Sequence, residues 1–263
     1  MILVNGTRYC TGSLINTTAN DNRPLLLTAH HCLGGPGNNY IQYDAINNPA
    51  LNHWSFYWHY EAPKCGNVSI EPPHLSTIGA TVIANNEASD FALLRLAEDP
   101  RNKRGVTPYY LGWDRSGYPG TRGVGIHHPS GDVKKISTHN ITPSNSNCFS
   151  SGEKNYNFWK INWMRTANGI SVTEGGSSGS PLLNQQRRVI GQLYGPGTCP
   201  NPNCSDPSKD IAVAFTFLQG QVLLMERKIS TAGLFSSVCR ERFSFKSNLL
   251  YGCIFRSNLA KVG

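Results

Sequence analysis

Short apolar stretches alternate with polar turns rich in glycine, proline and asparagine along most of the chain up to Phe217. In one of them Trp159, Ile161 and Trp163 occupy every second position and share that strand face with Asn157. This period of two is typical of β-strands, and no βαβ rhythm or longer repeat accompanies it. The pattern predicts strands at 8–16, 24–28, 53–60, 77–84, 91–96, 123–127, 156–163, 189–194 and 211–217.

Many short strands with turn signals between them predict an all-β antiparallel fold, arranged as two barrels with little helix. We expect an N-terminal barrel over residues 1–110 and a C-terminal barrel over residues 111–224. Residues 225–263 form a basic tail that we cannot assign to either core. The chain contains no proline after Phe217, and it carries Cys239 and Cys253 there.

The composition is that of a folded domain, with 39% hydrophobic and 15% charged residues. The net charge of +8 is uneven, because seven Lys and Arg residues against two Glu residues fall within 225–263. The charge is therefore no sign of a nucleic-acid partner for the main domain. No apolar run is long enough for a transmembrane helix.

Eight cysteines indicate an oxidising compartment, so we expect a secreted protein. Their number allows 105 pairings, and spacing does not choose among them. Residues 1–5 lack the basic start and cleavage site of a signal peptide and run directly into strand-like sequence. We expect the chain to begin inside a longer precursor.

Three segments carry residues suited to acyl transfer. The first ends a strand with His30 and His31, and a histidine of near-neutral pKa can serve as general base for a serine hydroxyl. The second opens an apolar strand with Asp90, whose carboxylate could orient an imidazole. The third places Ser178 among glycines and serines, where a substrate backbone could approach closely.

Each segment alone has a plainer explanation. A His-His-Cys cluster is more often structural or metal-binding, an isolated Asp is usually solvated, and a Gly/Ser segment is usually a turn. Together they follow the order His, Asp, Ser of chymotrypsin-like enzymes, at intervals of roughly 60 and 90 residues. These intervals suit two six-stranded barrels with a site in the cleft between them.

The chain resembles the trypsin superfamily and, within it, the bacterial lysyl endopeptidases. The resemblance covers roughly residues 8–210. Its motifs are CTGSL at 10–14, LTAHHC at 27–32, SDFALLRL at 89–96, GWDR at 112–115, IHHP at 126–129, TEGGSSGSP at 173–181 and GQL at 191–193.

The resemblance implies a role for each matched residue. The catalytic base is the histidine directly before the cysteine, which is His31, and the nucleophile is Ser178. The oxyanion donors are the backbone N–H groups of Gly176 and Ser178. A disulfide joins Cys10 to Cys32. No metal or organic cofactor is required, and the expected partners are polypeptide substrates of a monomeric enzyme.

Two residues are alternatives for the base of the pocket that sets substrate preference. The resemblance places the pocket near Thr173, near Tyr194 and Gly195, and within residues 206–210. If residues 206–210 match the family's pocket segment with a one-residue gap, Asp210 lies at the pocket base and selects a substrate Lys, or Arg. If they match without the gap, Lys209 lies there and the enzyme prefers an acidic residue instead.

The chain departs from the family in four places. Ser177 stands where trypsin has an Asp that pairs with its new N-terminus on activation, so maturation need not create that ion pair. The family's Tyr-Gly pair after the pocket Asp is missing. We also expect the segment whose cysteines pair with the positions of Cys65 and Cys199 to be missing, which leaves two alternatives: both cysteines are unpaired, or Cys199 pairs with Cys204. From Ile211 onward the family pattern is lost, which a frameshifted or divergent C-terminus would explain.

Three alternatives to a lysyl-type endopeptidase remain. A glutamyl endopeptidase would use Lys209 or a histidine such as His127 near the pocket. A non-catalytic protein on the protease fold would use the basic tail to contact anionic glycans or membranes. A zinc site built from His30, His31, Cys32 and Cys65 is the weakest, because no matching pair of CxxC motifs supports it.

Overall fold

The computed structural model describes residues 1–34, 49–64, 68–146, 158–163, 169 and 172–196, together with the backbone of 211–216. Within these residues the fold is all-β and antiparallel, as predicted. Helical structure in the described ranges is limited to short 3-10 turns at His30–Gly34, Pro49–His53, Pro100–Asn102 and Pro129–Gly131. None of the described helical segments is long and apolar enough to cross a membrane.

The N-terminal half contains eight strands in two four-stranded sheets, ordered β2-β1-β5-β6 and β3-β4-β8-β7. They are β1 (Ile2–Val4), β2 (Thr7–Cys10), β3 (Ser13–Leu14), β4 (Leu25–Ala29), β5 (Ser55–Trp58), β6 (Leu75–Ile78), β7 (Ala80–Asn86) and β8 (Phe91–Leu96). Strands β4 and β8 are almost wholly buried, which explains their nearly continuous apolar sequences.

The C-terminal half is one seven-stranded sheet, ordered β10-β9-β13-β14-β15-β12-β11. Its strands are β9 (Gly123–His127), β10 (Lys135–His139), β11 (Ser144–Asn145), β12 (Phe158–Trp163), β13 (Pro181–Asn184), β14 (Val189–Gly195) and β15 (Ile211–Thr216). Trp159, Ile161 and Trp163 are buried together, as their alternation predicted, and Asn157 lies outside the described residues.

The prediction of one strand over residues 8–16 is wrong, because β2 ends at Cys10 and β3 begins at Ser13. At the break the backbone N–H of Thr11 donates to the carbonyl of Ser178, 2.8 Å away, instead of to a neighbouring strand. The interruption therefore turns a backbone donor of the N-terminal half toward the C-terminal half.

A hydrophobic cluster joins the two halves. Leu27 of β4 and Phe91 of β8 pack in one buried group with Leu183 of β13 and Val189 of β14. Burying these side chains contributes about 2 kcal/mol each. The cluster holds the ends of β4 and β8 against the β13–β14 hairpin, and these strand ends carry the motif residues.

Candidate active site

The pairing of β4 with β8 brings His31 and Asp90 together. The register sets Ala29 opposite Phe91, so the residues just beyond each strand end also face each other. The N–H of His30 donates to the carbonyl of Asp90 at 2.8 Å, which extends the ladder by one step. His31 follows directly, at the entrance to a 3-10 turn.

The carboxylate of Asp90 holds the His31 residue at two points. Its Oδ1 accepts the backbone N–H of His31 at 2.8 Å, and its Oδ2 lies 2.8 Å from Nδ1 of the ring. A carboxylate only accepts, so Nδ1 carries the proton and Nε2 is left available as a base. The carboxylate side chain is 3% exposed and the imidazole 35% exposed, so the ring has one buried edge and one accessible edge.

Asp90 is itself fixed from both sides. Its backbone has φ of +52°, in the left-handed region that few non-glycine residues occupy. The side-chain amide of Gln192, on β14, donates to the Asp90 carbonyl at 2.7 Å. Because Gln192 is fully buried, this bond ties the C-terminal half directly to the residue that orients His31.

The serine-bearing segment is a pair of tight turns that lead into β13. Ser177 N–H donates to the Glu174 carbonyl and Ser180 N–H to the Ser177 carbonyl, both at 3.0 Å. Gly176 and Gly179, with φ of +88° and +78°, supply the left-handed backbone that these turns require. Ser178 lies between the two glycines, at the apex.

This segment docks on the strand end that carries His31. A Cβ at Gly179 would lie 2.3 Å from Oγ1 of Thr28 and 2.8 Å from the amide nitrogen of Ala29. Only glycine permits so close an approach. The distance between the end of β4 and the Ser178 segment is thereby set by backbone contact.

Thr11 binds both residues that flank Ser177. Its N–H donates to the Ser178 carbonyl, and its hydroxyl donates to the Gly176 carbonyl at 2.8 Å. The same hydroxyl accepts the N–H of His128 at 3.1 Å. With these carbonyls occupied, the Gly176–Ser177 and Ser178–Gly179 peptide planes are fixed. Within the described residues the N–H groups of Gly176 and Ser178 donate no hydrogen bond to the protein.

A disulfide joins Cys10 to Cys32, immediately beside His31. One ligand atom of each of these three residues lies within 4.8 Å of the others, but both sulfur atoms are in the disulfide and Nδ1 of His31 faces Asp90. Thiolate is the form that binds zinc, so this cluster does not fit the zinc alternative.

The other residues of the zinc alternative do not restore it. His30 is buried, and its Nδ1 pairs with the side-chain amide of Asn85 at 3.2 Å. Burial lowers the pKa of His30. Cys65 lies outside the described residues, as do Cys148, Cys199, Cys204, Cys239 and Cys253.

The structure describes three of the residues expected to line the pocket, Thr173, Tyr194 and Gly195. Tyr194 lies at the end of β14, and its ring meets the His31 ring edge-on with centroids 5.7 Å apart. Thr173 is buried, and its hydroxyl accepts the indole N–H of Trp163 at 3.4 Å. Gly195 follows Tyr194. Asp210 and Lys209 lie outside the described residues, so both pocket alternatives stay open.

Two residues with clear positions at the site, Thr11 and Gln192, were not assigned a role from sequence, and a third, His127, was considered only for the glutamyl alternative. All three lie inside motifs that resemble the family, at 10–14, 191–193 and 126–129, and that was the available signal. His127 was considered near the pocket, but it is 1% exposed and bonded to the side chains of Ser177 and Ser137.

A buried carboxylate that orients a histidine, beside a serine in a tight glycine turn on an antiparallel β fold, defines the class of trypsin-like serine proteases. Within that class the chain belongs to the family described as "Lysyl endopeptidase, C-terminal domain", whose model matches residues 1–211. A lysyl endopeptidase of Pseudomonas aeruginosa is 29% identical over 206 residues, which is 75% of this chain and 39% of the relative. The chain thus spans about two-fifths of the length of that relative.

Solved protease structures align along most of the chain. Rv3671c from M. tuberculosis, in an inactive mutant form, gives a TM-score of 0.47 at 14% identity, covering 89% of this chain and 87% of its own. The HtrA-type protease AlgW with a decapeptide gives 0.49 at 15% identity, covering 85% and 51%. These superpositions are too loose to assign any residue of the site.

Proposed function

We propose that this chain is a secreted, monomeric serine endopeptidase that hydrolyses peptide bonds through His31, Asp90 and Ser178. The observation that carries the proposal is the two-point attachment of His31 to the buried Asp90 carboxylate, next to a serine turn docked on the same strand end. The Cys10–Cys32 disulfide supports an oxidising, extracellular location.

In the proposed mechanism Nε2 of His31 takes the proton of the Ser178 hydroxyl as Oγ bonds to the scissile carbonyl carbon. The carbonyl oxygen gains negative charge and accepts hydrogen bonds from the N–H groups of Gly176 and Ser178. Asp90 stabilises the resulting imidazolium without taking its proton.

When the tetrahedral intermediate collapses, the C–N bond breaks and the imidazolium donates its proton to the leaving amine. The product is an ester of Ser178. Water then repeats the sequence, giving its proton to His31 and its oxygen to the acyl carbon, which frees the acid and regenerates the hydroxyl. No metal or organic cofactor takes part in these steps.

We propose cleavage after Lys or Arg, with the ammonium or guanidinium of the substrate paired to Asp210. The family membership supports this preference, and the alternative is cleavage after Glu with Lys209 at the pocket base. Thr173, Tyr194 and Gly195 would line the entrance.

The test compares the purified chain with a Ser178→Ala variant on a peptide library, and it uses a fluorophosphonate label to report the reactive serine. Ser116→Ala is the matched control, because Ser116 is exposed at a surface turn. We expect cleavage and labelling by the wild type and the control only. A protein that neither cuts nor labels would refute the proposal and favour a binding protein on the protease fold.

A second pair of variants tests the substrate preference. If Asp210 binds the substrate cation, Asp210→Asn lowers kcat/KM for Lys peptides at least about tenfold, whereas Lys209→Gln leaves it unchanged. Cleavage after Glu that disappears in Lys209→Gln would replace the lysyl assignment with the glutamyl one and leave the three catalytic residues in place.

A further inference from the structure

His127 is a buried histidine that the proposed reaction does not use. It ends β9 and is 1% exposed. Its Nδ1 lies 2.8 Å from the Ser177 hydroxyl and its Nε2 lies 2.9 Å from the Ser137 hydroxyl, so both ring nitrogens have side-chain partners. Ser177 directly precedes the proposed nucleophile.

The surrounding bonds fix where the protons lie. The Ser137 hydroxyl donates to the Val172 carbonyl at 2.8 Å, so its oxygen must accept from Nε2–H of His127. Nδ1 is then unprotonated and accepts from the Ser177 hydroxyl. The Ser177 oxygen in turn accepts the N–H of Glu174 at 3.2 Å. Every donor in this series of hydrogen bonds has one acceptor, and only a neutral His127 ring protonated on Nε2 satisfies all of them.

The imidazole therefore bridges the two ends of one segment. Through Ser137 it holds the carbonyl of Val172, and directly it holds the side chain of Ser177. Between these points Ser177 N–H closes the turn onto Glu174. The N–H groups of Gly176 and Ser178, the proposed oxyanion donors, lie on either side of the residue that His127 holds.

We propose that His127 is a positioning residue that fixes the oxyanion-binding turn through the Ser177 hydroxyl, in its neutral Nε2–H form. This inference rests on the proposed function. The chain thereby holds the turn with an uncharged internal partner at the position where trypsin uses an aspartate paired to a newly formed N-terminus.

The electrostatics of the pocket around His127 agree with an uncharged ring. Burial, with a smaller contribution from the positive charge of Lys135, lowers the pKa of His127 to about 3. The His127 ring is therefore uncharged near neutral pH.

The kinetic test uses His127→Gln and the milder Ser137→Ala, which keeps the ring and removes its far partner. Loss of one oxyanion donor costs about 10²–10³-fold in kcat. Because both variants misplace the donors without deleting them, we expect a fall in kcat of about 10- to 100-fold in His127→Gln and about 3- to 10-fold in Ser137→Ala. KM should stay within about twofold, since ground-state binding is untouched.

His139→Gln is the matched control. His139 is also buried, lies on the neighbouring strand β10, and bonds a backbone carbonyl, that of Ile141, at 2.9 Å. It has no described contact with residues 174–178. If His139→Gln lowers kcat as much as His127→Gln, the effect is general destabilisation and the proposal is overturned. Wild-type kcat in both test variants overturns it as well.

An NMR measurement decides the inference independently of activity. Long-range ¹H–¹⁵N correlation on the wild type should show His127 as the Nε2–H tautomer, and the amide signals of Gly176 and Ser178 should shift in Ser137→Ala but not in His139→Gln. An Nδ1–H tautomer, or unmoved amides, would overturn it. A wild type that takes no fluorophosphonate label refutes the proposed function, while these signals still judge the role of His127.

Discussion

Replacing Asp90 with asparagine tests the central contact of the site with almost no change in shape. The backbone N–H of His31 donates to Oδ1 at 2.8 Å, so the amide oxygen of an asparagine must occupy that position. Its NH₂ group then replaces Oδ2 and faces Nδ1 of the imidazole across 2.8 Å. Two donors cannot share that contact, so the ring must give up its Nδ1 proton.

The ring then carries its proton on Nε2 and cannot accept the proton of Ser178. In serine proteases this wrong tautomer lowers kcat about 10⁴-fold, which corresponds to about 5 kcal/mol of transition-state stabilisation. We expect the same fall here in peptide hydrolysis and in the rate of fluorophosphonate labelling. The melting temperature should change little, because the substitution is isosteric and keeps the Oδ1 bond.

Asp114→Asn is the control, since Asp114 is partly buried and accepts the amide of Asn184 at 3.3 Å, away from the serine turn. It should retain wild-type activity. If Asp90→Asn keeps more than about a tenth of the wild-type kcat while folded, the tautomer of His31 does not limit catalysis and the assignment of Asp90 is refuted.

Three further predictions concern stability. Gly179→Ala should lower the free energy of unfolding by about 3 kcal/mol or more, because at φ +78° the new Cβ would lie 2.3 Å from Oγ1 of Thr28. Gly175→Ala is the control, since a Cβ there meets open space. Thermal unfolding of both variants checks this, and equal melting temperatures would contradict it. His127 should make the fold acid-sensitive, because its pKa is about 3 in the folded protein and about 6.5 in the unfolded chain. Below about pH 6.5 the unfolded chain binds a proton that the folded protein does not, so the free energy of unfolding falls by about 3 kcal/mol by about pH 4. Urea unfolding at both pH values should show a smaller loss in His127→Gln, and an equal loss would refute this. Replacing both Cys10 and Cys32 with alanine should lower the free energy of unfolding in urea by about 3 kcal/mol, because the disulfide is lost. An unchanged urea midpoint would contradict this stability prediction. The activity of the variant should be insensitive to EDTA.

The pairing of His31 with Asp90 could be predicted from sequence for a local reason. Each residue adjoins a strand with a strong apolar pattern, and the two strands proved to be neighbours in register. The motif around Ser178 was equally visible, because a run of glycines and serines stands out in composition. The strand ends and the turn are therefore the parts of this site that could be predicted from the sequence.

The contacts that hold the site could not be predicted in this way. Thr11 lies 165 positions from Gly176, and Gln192 lies 102 positions from Asp90, so no local periodicity links them. The strand break at Thr11 falls where Thr11, Gly12 and Ser13 interrupt the apolar residues, but the partner that the Thr11 N–H takes there, the Ser178 carbonyl, is far along the chain. Strands β1 and β11, with three and two residues, are too short to show a period at all.

The hydrogen bond from Thr11 to the Gly176 carbonyl has a consequence for when the serine turn can take its folded position. Contacts of such sequence separation are slow to form, since a long loop must close before they yield any stabilisation. A chain still emerging from the ribosome has Thr11 outside long before Gly176. Throughout that interval Thr11 lacks the Gly176 carbonyl to which its hydroxyl donates in the folded protein. If the proposed function holds, cleavage can therefore begin only after residues 11 and 176 have both emerged and the loop between them has closed.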